Sequence, residues 1–224
     1  MTSDFKKMPF NKKAEHIWEY YKVQIFLTLF FIIVVGWLIN DVFINPAPKP
    51  YAWVAFYDNY INSEVIGNLT SDLTEQFVPE GENLEVRFTS YYESESDPTV
   101  AVDMHQKFEM LFYAKQIDII ITGKNERTKR DYFLEFAKQG ALAPLDKIYS
   151  EEELAEFDKK GILLYCEDSE GVKRPFGVSM KNTGTALKDY DGFPQDKRYI
   201  GISNVTERPE NAKEVLKAIV NMKI

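Results

Sequence analysis

Three short stretches gather side chains suited to holding a polar ligand. They are Tyr57-Asp58-Asn59, then Ser90-Tyr91-Tyr92-Glu93, then Thr122-Gly123-Lys124. Each follows a run of strand type. Tyrosine rings offer an apolar face with a polar tip, and short Asp, Asn and Thr groups supply hydrogen bonds at a fixed reach. That chemistry suits a sugar or another small polar solute. In open parallel α/β sheets, ligands bind beyond the carboxyl ends of the strands, where these residues fall. Ordinary strand ends also favour Asp, Asn and Gly, so composition alone leaves both readings open.

Other chemistries have less to stand on. His16 precedes a long apolar run, which leaves His105 as the one histidine after it. With Cys166 as the sole cysteine, a zinc site of Cys/His type is not available. Cys166 lies in Leu163-Leu164-Tyr165-Cys166 and reads as a buried apolar residue. Glu93, Glu95 and Asp97 alternate, and Asp189-Tyr190-Asp191-Gly192 matches part of a calcium loop, but neither has the full EF-hand spacing. No Gly-x-Ser-x-Gly elbow, P-loop or dinucleotide fingerprint occurs. Nothing points to a pair of catalytic carboxylates. The expectation is a binding protein without metal or cofactor, not an enzyme.

The elements that would position the rim alternate. Residues 53–57 (WVAFY) form an apolar strand of the kind covered on both faces. Val65, Ile66, Leu69, Leu73 and Phe77 recur at helical spacing. Residues 84–89 read as a strand. Asp97-Pro98 then opens a helix to about Lys115, with Asp as N-cap and Pro at the first turn. Residues 117–122 (IDIIIT) are a third strand. A helix over 130–139 ends at Gly140, and Ser150 with Glu153 forms a capping box for a helix that stops at Gly161. Residues 162–165 and 175–179 are short strands around a turn, 188–197 is loop-like, 199–203 is a last strand, and 209–222 a last helix. Strand-helix alternation predicts right-handed βαβ crossovers and a mostly parallel sheet flanked by helices.

Ahead of this unit, Val23 to Asn40 carries no charged side chain, and the apolar stretch runs to Ile44. A helix over residues 23–44 is about 33 Å long, enough for a bilayer core of about 30 Å. Lys6, Lys7, Lys12, Lys13 and Lys22 precede it, which predicts a cytoplasmic N-terminus. Trp18, Tyr20, Tyr21 and Trp37 suit the two interfaces. A cleaved signal peptide has a shorter apolar region of about 7–15 residues and a small-residue cleavage site. Asn45-Pro46-Ala47-Pro48 is a poor one, so the span reads as an uncleaved anchor. Residues 45–50 then read as a stiff Pro-rich spacer. The chain is therefore divided into a cytoplasmic segment 1–22, a membrane helix 23–44, the spacer and an extracytoplasmic domain 51–224.

The formal charge is −8, and after residue 45 there are 22 basic against 31 acidic residues. Such a domain is a poor binder of phosphate backbones, which argues against nucleic acid. About 175 residues suffice for one domain with its own core.

Gly140-Ala141-Leu142-Ala143-Pro144-Leu145-Asp146, directly after a strand and a helix, resembles the first lobe of extracellular solute-binding proteins of the type 2 periplasmic-binding-protein fold. Asp168 to Val178 is similar to the turn and strand by which that family approaches its hinge. Ile202-Ser203-Asn204, then Arg208 to Ala212 and a helix, resembles its returning strand and helix. The resemblance covers about two thirds of the outer domain. Only about 20 residues separate Val178 from Tyr199, too few for the family's second lobe. The resemblance therefore implies a single-lobe, membrane-anchored relative in a bacterial cell envelope. It would bind a small polar solute or sugar for uptake or sensing. The alternative is an interaction module whose lone lobe meets a membrane transport partner or a second copy.

Overall fold

The structure is a computed structural model that describes residues 9–92, 98–125, 128–181 and 198–221. The chain forms two units, residues 1–48 and 49–224.

The first unit is a helix, α1 (Phe10–Ile39), continued by a wider π-type turn over Asn40–Ile44. Its described side chains are exposed apart from half-buried Val34. Trp18–Ile44 is long and apolar enough to cross a membrane, and a signal sequence meets the same test of length and composition.

The second unit is a three-layer α/β arrangement. Its elements are β1 (Lys49–Tyr57), α2 (Ser63–Phe77), β2 (Leu84–Tyr91), α3 (Pro98–Tyr113), β3 (Ile119–Gly123) and α4 (Tyr132–Lys138). A 3₁₀ turn, α5 (Glu151–Lys159), β4 (Leu163–Glu167), β5 (Lys173–Ser179), β6 (Arg198–Ile202) and α6 (Pro209–Asn221) follow. β1 starts at Lys49, so the last two residues of the Pro-rich stretch belong to the sheet.

The sheet order is β2-β1-β3-β6-β5-β4. β1 lies parallel to β2 and to β3, and the other three neighbouring pairs are antiparallel. The expectation of a mostly parallel sheet is thus wrong: the sheet is mixed and mostly antiparallel. For β4 and β5 the physical reason is connection length, whereas β6 takes its direction from pairing with β3 and β5 far along the chain. A parallel neighbour needs a crossover of a dozen residues or more, whereas a hairpin closes antiparallel strands. β4 and β5 are joined by the turn Asp168–Val172, where Asp168 Oδ1 accepts from the Glu170 and Val172 N–H groups. Gly171 takes φ 79° there, a conformation natural to glycine.

Both faces of the sheet are covered. On one, Val54, Phe56, Ile121 and Ile200 join Leu69 and Leu73 of α2 and Val215, Leu216 and Ile219 of α6. On the other, Ala55, Ile120 and Phe176 join Phe108 and Phe112 of α3 and Phe133 and Ala137 of α4. This explains why β3 is buried along its whole length. The helix α2 following β1 and the helix α3 following β2 therefore lie on opposite faces.

Side-chain caps set the helix starts. Asn62 accepts from the Glu64 N–H at 2.9 Å, and Asp131 accepts from the Leu134 N–H at 3.2 Å. The expected capping box is present: Ser150 Oγ accepts from the Glu153 N–H at 3.3 Å, and Glu153 Oε2 from the Ser150 N–H at 2.8 Å. Glu153 also pairs with Lys217 and, at 2.9 Å, with Lys213, tying α5 to α6. The two lysines and the Ser150 N–H, Lys217 foremost, hold its carboxyl down to about 2. A depressed carboxylate stabilises the fold above its unfolded pKa and loses that contribution as pH falls through the folded value. Glu153→Gln should cost about 1 kcal/mol at neutral pH, because the group is partly solvated. Urea unfolding of the two forms should give a constant difference above pH 5 that disappears towards pH 2.

Candidate functional site at the carboxyl edge of β1 and β3

The apolar run of β1 ends at Tyr57, whose ring is buried against α3 and α4. It stacks on His105 at 5.3 Å and meets Phe108 at 4.6 Å, Tyr132 at 5.2 Å and Phe136 at 5.0 Å. Burial, with help from Tyr132 and Asp58, raises the Tyr57 pKa, so the phenol stays neutral.

Asp58 turns the chain sharply. Its φ is 59°, in the left-handed region that non-glycine residues rarely enter and that Asp and Asn tolerate best. The turn lets both the Asp58 and Asn59 N–H groups donate to Tyr91 O, at 2.7 and 3.3 Å. Ser90 Oγ donates to Asn59 O and accepts from the Ile61 N–H at 3.1 Å. Asn125 Nδ2 donates to Asp58 Oδ2 at 2.7 Å, while its Oδ1 accepts from the Thr128 N–H at 2.8 Å. The loops after β1 and β3 are thus joined through Asp58 and Asn125.

The other expected rim residues fall into different surroundings. Thr122 and Gly123 are buried at the end of β3, Lys124 is exposed, and Lys124 bridges to Asp131 through the backbone. Tyr91 is fully buried, edge-on to Phe108 at 5.4 Å, with its pKa pushed up to about 12 chiefly by burial. Tyr92 is half-buried and meets exposed Tyr60 edge-on at 4.9 Å. Glu93 lies outside the described residues, as do Glu95, Asp97 and residues 189–192. Of the expected set, Tyr57, Asp58, Asn59, Thr122 and Gly123 form the edge itself, and Tyr91 forms part of the core beneath it.

Four residues join the edge that sequence reading missed. Asn125 ties down Asp58, Asp131 caps α4, and Tyr132 packs on Tyr57 with the Arg130 guanidinium 5.0 Å above its ring. The fourth is Arg198, the first residue of β6, directly opposite Gly123 in the antiparallel register. It is 7% exposed. Burial lowers its pKa, and the nearby Asp58 and Asp131 charges oppose that. A charged residue heading the apolar run Tyr199 to Ile202 was the signal available in the sequence.

Among the described residues no group of three or more His, Cys, Asp or Glu is arranged to hold a metal ion. What the edge can do is donate and accept hydrogen bonds beside an aromatic wall. Comparison with protein-family models, curated proteins and solved structures finds no match for the chain.

Proposed function

We propose that the chain is a membrane-anchored receptor lobe. In this reading α1 spans the membrane with its N-terminus in the cytoplasm. The 49–224 unit then recognises a small polar solute or sugar on the outer side, for uptake or sensing.

One observation carries the reading: the divergence of connections from β1. The chain leaves β1 for β2 on one side across one face of the sheet, then returns to β3 on the other side across the opposite face. Such a reversal opens a crevice at the carboxyl ends of the diverging strands, the usual ligand position in α/β sheets. Asp58 and Asn125 lie at the carboxyl ends of β1 and β3, and the strained Asp58 backbone is the kind of feature found where a loop is held in place for binding. The resemblance of residues 140–146, 168–178 and 202–212 to solute-binding proteins supports the same reading.

The test is a thermal-shift screen of the full-length chain in detergent against sugars and other small polar solutes. A specific binder at about 100 times its Kd should add roughly 2.7 kcal/mol, or about 5–11 °C for a unit of this size. Asp58→Ala, which releases the loop tied to Asn125, should change the shift while the chain stays folded. A shift that survives Asp58→Ala unchanged removes the assigned site. A flat screen with a folded chain moves the reading to an interaction module, for which exposed Tyr60 against Tyr92 supplies an aromatic anchor beside the same edge. Topology is checked separately: protease added to intact cells should digest the 49–224 unit and spare the first residues.

A further inference from the structure

The edge holds buried donors with no acceptor among the described residues. Arg198 Nε and Nη1 and Asn59 Nδ2 are buried and lack a hydrogen-bond partner among the described residues. Native proteins pair nearly all such groups, and those that remain call for an occupant or a role. Asn59 and Arg198 are each 7% exposed, so bulk water does not serve them.

Their placement follows from strand direction. β6 runs against β3, so its first residue lies at the carboxyl end of β3. Directly opposed residues of an antiparallel pair share a face, and Gly123 opposite Arg198 brings no side chain to it. Asn59 follows the left-handed turn at the end of β1, on the far side of β3 from β6. Asp58 and Asp131 are close enough for their charges to act on Arg198, yet Arg198 forms no ion pair within 4 Å among the described residues. Asp58 is engaged by Asn125, and Asp131 by the start of α4. A buried guanidinium held in this way is set for an acceptor-rich group that the described residues do not provide.

From this geometry we infer that the solute carries a single carboxylate, received by the Arg198 guanidinium. The inference rests on the receptor reading above and names the class of its ligand. The two orphaned Arg198 nitrogens are donors, and a carboxylate is acceptor-only. Its bonds to a guanidinium are charge-assisted and among the stronger ones available. The two aspartates set the limit on charge. Asp58 and Asp131 already act on the Arg198 charge, so each negative charge beyond the one that Arg198 receives is opposed. Monocarboxylates are therefore favoured over inorganic phosphate and dicarboxylates.

The experiment is calorimetric titration of the full-length chain in detergent with D-gluconate, L-lactate, L-lactamide, D-glucose, succinate and inorganic phosphate. Gluconate or lactate should bind, with lactamide, succinate and phosphate at least about tenfold weaker. Arg198→Gln should weaken the acid by about tenfold to a hundredfold, and Arg198→Lys should recover part of that. The lactate–lactamide comparison uses the native chain alone, so it decides even if Arg198→Gln fails to fold. Equal binding of lactate and lactamide, phosphate or succinate binding as tightly as the monocarboxylates, or full acid binding by folded Arg198→Gln each overturns the inference. Binding of glucose with no response to the acids overturns it while leaving the receptor reading intact. No binding of any solute across this set and the wider screen removes both.

Discussion

Arg208→Ala should destabilise the 49–224 unit by about 3–5 kcal/mol, the cost of leaving a buried charge without its partner. The partner is Asp118, which is fully buried just before β3. Its Oδ2 accepts from the Trp53 N–H at 2.7 Å and from Arg208 Nε at 3.0 Å, and its Oδ1 accepts from the Thr206 hydroxyl at 2.5 Å. Arg208 Nη2 lies 2.9 Å from the same carboxylate and also donates to Gln116 O at 2.7 Å. The knot joins β1, β3 and the segment that leads into α6. Burial pushes the Asp118 carboxyl towards its neutral form, and the Thr206 hydroxyl, the Arg208 guanidinium and the Trp53 N–H oppose that push. Removing Arg208 takes away the cation in that group. At about 2–4 °C per kcal/mol for a unit of this size, the melting temperature should fall by about 6–20 °C. Arg208→Lys keeps the charge but not the planar fork, so it should fall between. Thermal unfolding of the full-length variants by circular dichroism decides. A loss below about 1 kcal/mol means that Asp118 is neutral in the fold and that the hydrogen bonds alone hold it.

The knot lies at the amino edge of β3 and the candidate site at its carboxyl edge, and the sequence is not equally open about the two. The first half of the sheet was legible, because long crossovers carry helical periodicity that can be counted: the spacing of Val65, Ile66, Leu69, Leu73 and Phe77 is enough to mark α2. β1 and β3 announce themselves as apolar runs, so Tyr57, Asp58, Asn59, Thr122 and Gly123 could be placed at strand ends. Tyr91 could not be placed on a face, because that depends on α3 covering it, and Phe108 is 17 residues away in sequence. Arg198 could not be placed at the site for a different reason. In a parallel sheet the first residue of β6 would stand at the amino edge, remote from the site. Only the antiparallel direction of β6 brings it to Asp58 and Gly123. The error about sheet direction and the omission of Arg198 are one error. Local pattern gives a strand's existence, while its direction is decided by partners far along the chain.

Gly177→Ala should cost about 3 kcal/mol, at the upper end for one added methyl group in a packed interior. Gly177 of β5 pairs with Gly201 of β6, and together they make a flat seat for the ring of Phe133 from α4. A Cβ at position 177 would stand 2.8 Å from Ile200 O and collide with the tip of the Phe133 ring. The ring can turn only into its buried neighbours. The carbonyl cannot retreat, because Ile200 pairs with Ile121 on one side and Val178 on the other. Phe133→Ala removes the ring instead, and should cost about 3–5 kcal/mol in lost burial and an unfilled space. Combining Gly177→Ala with Phe133→Leu should be less damaging than the sum of the single changes, because the shorter side chain relieves one of the two collisions. Urea unfolding of the four forms gives that coupling, and strict additivity would show that the ring does not use the seat. The same seat bears on binding. α4 begins with Asp131 and Tyr132 at the candidate site, and Phe133 is the next residue, pinned to the sheet. Loosening Phe133 frees the start of α4 without touching a ligand contact. On the proposed receptor reading, solute affinity should therefore fall in Phe133→Leu even under conditions where the chain remains fully folded.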